Sequence, residues 1–166
     1  MVGNREIKNF SVRKTLRIGL FAATTFAVVA AFSSFSSDEA SADGHHYKDR
    51  NAAMKSLGGN MRKLGGAVAG GNKADAAAAA KAISAIAAKM PALFEHKEIP
   101  TASRAKPGIW DNMADFNAKV AALVAAADKV AAGAAAGTLG SDPRPVVGSI
   151  GKTCGSCHKV YRGPKA

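Results

Sequence analysis

The chain has 166 residues, with 23 Lys and Arg against 12 Asp and Glu and a formal net charge of +11. That length allows one domain of ordinary size. The basic residues are scattered rather than clustered among aromatics, so no nucleic-acid partner is expected. With no Ser/His/Asp set, paired-carboxylate site or Gly-rich phosphate loop, the chain is not expected to be an enzyme.

The N-terminus has the layout of a secretion signal. Arg5, Lys8, Arg13, Lys14 and Arg17 form a basic region, residues 18–32 are an apolar run, and a polar segment ends in Ala40-Ser41-Ala42. The last three residues fit an A-x-A cleavage site. The run is shorter than the ~20 residues that a spanning helix prefers. Residues 1–42 are therefore expected to be removed near Ala42, and 43–166 to form a domain in the periplasm with no stable membrane insertion. An uncleaved anchor is the alternative. On Ala-rich helices the scattered lysines are a solvated surface or a positive face that steers an acidic partner.

From Tyr47 the apolar residues Met54, Leu57, Met61, Leu64 and Val68 recur at helical spacing, with Arg50 on the same stripe. An arginine there needs a partner, or it lies at the seam edge with its head in water. Gly70-Gly71 stops the helix. Asn72 stands where an N-cap belongs, ahead of a second helix through Ala76–Ala80 and on to Ile83, Ile86, Met90 and Leu93. Pro91 should bend or end it. His96 to Lys106 reads as a loop, and Pro107 is placed to open a third helix with stripe Ile109, Met113, Phe116, Val120, Leu123, Ala127 and Val130. Gly133 to Gly140 reads as a connection. Asp142-Pro143 starts a last helix with stripe Val147, Ile150, Cys154, Cys157 and Tyr161. No segment alternates with period two. His45 and His46, which precede the first helix, and His96 in the loop are expected to be solvent-exposed.

Four helices with single apolar seams and short connections predict an all-α, antiparallel up-down-up-down four-helix bundle. Its seams are rich in alanine, which buries little area. A bound apolar group would complete such a core, and without one the chain should pack poorly.

Cys154-Gly155-Ser156-Cys157-His158 supplies that group. It contains both cysteines of the chain, and C-x-x-C-H is the attachment signature of a c-type haem. On a helix the three side chains stand at i, i+3 and i+4, on one face. Two thiols can form thioethers with the porphyrin while the imidazole binds iron. A redox C-x-x-C pair, as in a thiol-disulfide oxidoreductase, belongs at a strand-to-helix turn, and this chain has no such pattern. A zinc site would need His45, His46 or His96 as further ligands.

These features together resemble the class II c-type cytochromes, which include the cytochromes c′. The resemblance covers about Tyr47 to Arg162. It rests on C-x-x-C-H near the C-terminus, Tyr161-Arg162 after it, Arg50-Asn51-Ala52-Ala53-Met54-Lys55 in the first helix, Met90-Pro91-Ala92-Leu93-Phe94 and Ile109-Trp110. It implies one covalently bound haem c per chain, held by Cys154 and Cys157, with His158 on iron. It also implies Arg50 near a haem propionate, Arg162 near the proximal face, and Trp110 and Tyr161 beside the porphyrin. At the position of Met54 a leucine accompanies five-coordinate iron that binds NO or CO. A methionine resembles the low-spin, electron-transferring branch, which makes Met54 the expected sixth ligand and Met61 a second candidate. The expected partner is a periplasmic redox protein, and the chain is a monomer or homodimer.

Overall fold

The structure, a computed structural model, describes residues 45–164. The expected signal segment and its cleavage site lie outside them. All the described residues fall within one compact unit, Glu39–Ala166. Four long helices carry the fold: α1 (His45–Ala69), α2 (Lys73–Ala88), α5 (Met113–Ala136) and α6 (Pro143–Tyr161). Two single turns, α3 (Met90–Leu93) and α4 (Gly108–Asp111), sit between α2 and α5.

Local chemistry accounts for most boundaries. Gly71 takes φ of 69°, a left-handed conformation that glycine adopts without strain, and ends α1. Asn72 Oδ1 then accepts from Asp75 N at 3.0 Å and caps α2. Pro91 falls in the first turn of α3, where a missing N–H has no intrahelical partner, so it accompanies a helix end rather than a bend. Asp142 caps α6, its Oδ1 accepting from Arg144 N at 3.0 Å.

Four expectations need correction. Pro107 opens only the short α4; Asn112 breaks the pattern and caps α5, accepting from Asp115 N at 3.2 Å. Helix α5 runs through Gly133 and ends at Gly137, whose φ is 70°. Within the helix Gly133 leaves room for Leu139 to fold back over it; a Cβ there would sit 2.9 Å from Leu139 Cδ2. Val146 rather than Val147 is the buried residue of α6. His45 and His46 belong to α1 rather than preceding it, and His46 is half-buried.

Each long helix packs on the next and α6 closes onto α1, giving the up-down-up-down bundle that the seams predict. Nearly half of the larger core cluster is alanine: Ala76, Ala79 and Ala80 of α2 and Ala127, Ala131 and Ala134 of α5. Alanine favours helix formation, and its small side chain lets two helix axes approach closely. A second cluster of larger side chains, including Met90, Phe94, Ile109, Phe116 and Tyr161, surrounds the functional end. Among the described residues there are no strands, only an isolated bridge between Ala105 and Arg162. No described helix is long and apolar enough to cross a membrane.

Candidate haem site

A cavity of about 350 Å³ opens between α1, α6 and the loop after α3. Its α1 wall carries Tyr47, Arg50, Asn51 and Met54, and its α6 wall carries Cys157, His158 and Tyr161, with Arg162 just beyond. Phe94, Ile109 and Phe116 make an apolar floor, and Ala102 to Ala105 form the edge. The volume falls in the range of small-ligand pockets. The cavity thus collects Met54, Cys157, His158, Arg50, Tyr161 and Arg162 from segments far apart in sequence.

Cys154 lies one turn before Cys157, half-buried against the larger core cluster and outside the cavity lining. Trp110 is also outside the lining. Its Nε1 donates to Phe94 O at 2.8 Å, so it supports Phe94 from behind. Met61 packs against the larger cluster, also away from the cavity.

Arg50 is only 4% exposed, which removes the seam-edge alternative with its head in water and leaves the arginine that needs a partner. Its Nη1 donates to the carbonyls of Leu93 (3.3 Å) and His96 (3.4 Å), and its Nη2 to that of Glu98. The guanidinium also lies 5.0 Å from the Phe94 ring centroid and 5.8 Å from that of Trp110. Burial lowers its pKa, opposed by Glu98. Arg50 therefore fastens the chain after α3 to α1.

Sequence reading missed Arg104, Phe94 and Phe116 as site residues. Arg104 lines the cavity while donating to the carbonyls of Gly163 (2.8 and 3.0 Å) and Pro164 (3.1 Å). It ties the loop to the tail of α6, beside the Ala105–Arg162 bridge. The sequence marked Phe116 only as core and Phe94 only as part of a family segment: the two rings meet at a tilt of 51° with centroids 4.9 Å apart, and Tyr161 meets Phe116 edge-on at 5.7 Å.

Electrostatics favour neutral donors on α6. Burial raises the Cys154 and Cys157 thiols, with Lys119 opposing at Cys157. Burial lowers His158, and the charges of Arg162 and Arg104 lower it further, keeping the imidazole in the neutral form that binds metals. An apolar floor, three arginines lining the cavity, and a Cys-His pair on one wall suit a flat apolar ring bearing two carboxylates and a metal. The residues fit a haem.

Such a bundle with such a pocket defines a helical c-type haem protein. Comparison with known proteins agrees. The family model described as Cytochrome C' matches residues 45–162. A cytochrome c-556 of Agrobacterium tumefaciens (strain II Chrys) is 37% identical over 116 residues, covering 68% of this chain and 93% of that protein. The crystal structure of cytochrome c' from Thermochromatium tepidum has a TM-score of 0.62 at 30% identity, over 72% of this chain and 95% of that one. A nitric oxide complex of a variant cytochrome c prime from Alcaligenes xylosoxidans gives 0.62 at 27% identity, over 72% and 94%. The chain belongs to the cytochrome c′ family, with a covalently bound haem c as its cofactor.

Proposed function

We propose that this protein is an exported, periplasmic electron carrier. Its haem is attached through Cys154 and Cys157, with His158 and Met54 as axial ligands. The observation supporting this reading is that Met54 of α1 and His158 of α6 line the same cavity. The haem supplies a one-electron ferric/ferrous couple. His158 offers a neutral nitrogen, Met54 a soft sulfur, and the aromatic floor excludes water. Arg162 and Arg104, which line the cavity, would pair with its carboxylates, while Arg50 holds the loop after α3. If His158 and Met54 both held the iron, no position on it would be left for a substrate, which supports a carrier rather than an enzyme. The partner is a periplasmic redox protein, steered by the positive surface.

A second reading, capture of NO or CO at a five-coordinate iron, is favoured by one observation: a variant of a relative of this chain has been solved as a nitric oxide complex. Met54 would then bind weakly or stand aside. Spectroscopy separates the two. The carrier reading expects haem that survives acid extraction, low-spin ferric and ferrous spectra, and conversion to high spin in Met54→Ala. Unchanged spectra in that variant remove Met54 as a ligand. Rapid CO binding by the wild type selects the second reading, and colourless protein with a reactive dithiol sinks both.

A further inference from the structure

Charge is not spread evenly over the four long helices. Helix α1 carries five Lys and Arg against one Asp, and α6 carries three against none. Helix α2 carries two against one and α5 two against two. Because α1 packs on α6 and α2 on α5, the excess positive charge lies on the α1–α6 side. An open groove runs between those two helices. Met61, Gly65, Val147 and Gly148 line it, with Arg62 on one bank and Arg144 on the other, and its surface is almost wholly apolar.

The banks carry further cations toward the haem end. Lys55 stands two turns before Arg62 on the same face of α1, and Lys152 one turn after Gly148; Lys55, Arg62 and Lys152 are all exposed. Arg62 lies back along α1, its Nη1 3.9 Å from where a Cβ on Gly58 would stand. Of Lys55, Arg62, Arg144 and Lys152, only Arg144 has an ion-pair partner among the described residues, Asp142 at 2.9 Å. A Cβ on Gly148 or Gly151 would meet nothing within 4 Å, so packing inside the chain does not demand glycine at either position. Glycine weakens a helix interior relative to alanine. Here it keeps the α6 bank low enough for another molecule to come close. Met61 follows Met54 by seven residues and Val147 precedes Cys154 by seven, so the groove lies about 10 Å along each helix from the haem-site residues.

We propose that this groove docks an acidic redox protein, with carboxylates against the cations of its banks and an apolar side chain in its floor. The proposal rests on the carrier reading, which supplies the class of partner. Complementary charge steers two proteins together and fixes their orientation, and an apolar centre inside a charged rim is the usual anatomy of such a contact. Two other occupants suit the face less. A twofold pairing of two copies sets the same cationic patch against itself, and like charges repel. A lipid surface is entered by protruding apolar side chains, and the exposed large apolar residues among those described, Ile99 and Val160, lie outside the groove.

The test titrates isotope-labelled, reduced holoprotein with reduced plastocyanin, an acidic copper protein, so that no electron passes between them. Amide resonances are followed by nuclear magnetic resonance at low and high salt. The expected perturbations map to Lys55, Arg62, Gly65, Gly148 and Lys152, saturate, and fade as salt rises. Lys55→Glu with Arg62→Glu should weaken binding by about fivefold or more. Lys81→Glu with Lys129→Glu, on exposed positions of α2 and α5, makes the same change in net charge and should weaken it by less than about twofold. Gly148→Gln, which fills the groove without changing charge, should weaken it as well. Perturbations on α2 and α5, equal effects of the two charge pairs, or no saturable binding overturn the docking face. So does cosedimentation with phosphatidylglycerol vesicles that is lost in the Lys55→Glu, Arg62→Glu chain, which makes the face a lipid-binding one. A low-spin haem with no map on α1 and α6 removes the docking face alone, and a map on α1 and α6 around a high-spin haem supports the face while removing the carrier reading.

Discussion

The Tyr161 hydroxyl donates to Asp115 Oδ2 at 2.6 Å, joining the last residue of α6 to the first turn of α5. Asp115 is also 3.5 Å from Lys119. Hydrogen bonds to a charged acceptor are shorter and stronger than neutral ones. Here the bond holds the Asp115 carboxyl below its ordinary range and pushes the Tyr161 phenol up to about 12.

The pH dependence follows in sign. A raised phenol stabilises the fold fully below its unfolded pKa of 10.0 and loses that contribution as pH rises through about 12. A depressed carboxylate contributes above its ordinary pKa and loses that contribution as pH falls through the folded value. Tyr161→Phe should therefore lower the holoprotein's melting temperature at neutral pH and flatten its decline at high pH. Melting curves on both sides of that alkaline window, for wild type and variant, check this; parallel declines would refute it.

Arg50 makes a second, sharper case. Arg50→Met keeps an apolar stem but leaves the carbonyls of Leu93, His96 and Glu98 without their donor. Removing a buried charged donor of this kind should cost about 3 kcal/mol. Arg50→Lys should recover less than half of that, because an ammonium lacks the planar fork that reaches several acceptors. Urea unfolding of the holoproteins measures both. Equal stability of the methionine variant and wild type would show that the three carbonyls find other donors.

How far the sequence could be read depended on the range of each contact. Asn72, Gly71, Asp142 and the C-x-x-C-H spacing act within a few residues, and each is where local chemistry puts it. The role of Arg50 was not legible, since its acceptors lie 43 to 48 residues away and are main-chain atoms that no side-chain pattern marks. The same holds for Arg104, whose partners are carbonyls 59 and 60 residues on, and for the Tyr161–Asp115 pair at 46. Phe94 and Phe116 were legible as apolar but not as cavity floor, because periodicity separates inside from outside and not one part of the inside from another.

The alanine seam should tolerate little growth. Ala80 and Ala127 are fully buried, so Ala80→Leu forces added volume into a packed interface and should cost about 1–3 kcal/mol or more. Ala85→Leu, at an exposed position of the same helix, should change stability by less than about 0.5 kcal/mol. Equal effects in the two variants would mean the seam is loosely packed.

Removing the haem should act unevenly. A chain with Cys154→Ala and Cys157→Ala keeps the cluster of Leu64, Ala80, Ile83, Ala127 and Ile150 but has an unsupported cavity between Met54, Phe94 and Phe116. Amide hydrogen exchange should stay slow in the middle of α2 and α5 and become fast from Phe94 to Ala105 and at the start of α1. Uniform protection equal to that of the holoprotein would show that the core alone fixes this end.

The cavity's opposing walls, Met54 and His158, come from opposite ends of the described residues, about a hundred residues apart. A ribosome therefore makes one wall first and the other almost last, and secretion through a membrane would deliver them in the same order. Neither wall can help the first helices assemble, because the closing segment has not arrived. During that interval α1, α2 and α5 have local helix propensity and their own share of the larger core cluster to bring them together: Leu57, Leu64 and Val68 of α1 with Ile83, Val130 and the alanines of α2 and α5. The small, strongly helix-favouring residues at the far end of the bundle thus fit the timetable of biosynthesis. They give the nascent chain a way to pair its helices before the haem-binding segment is available.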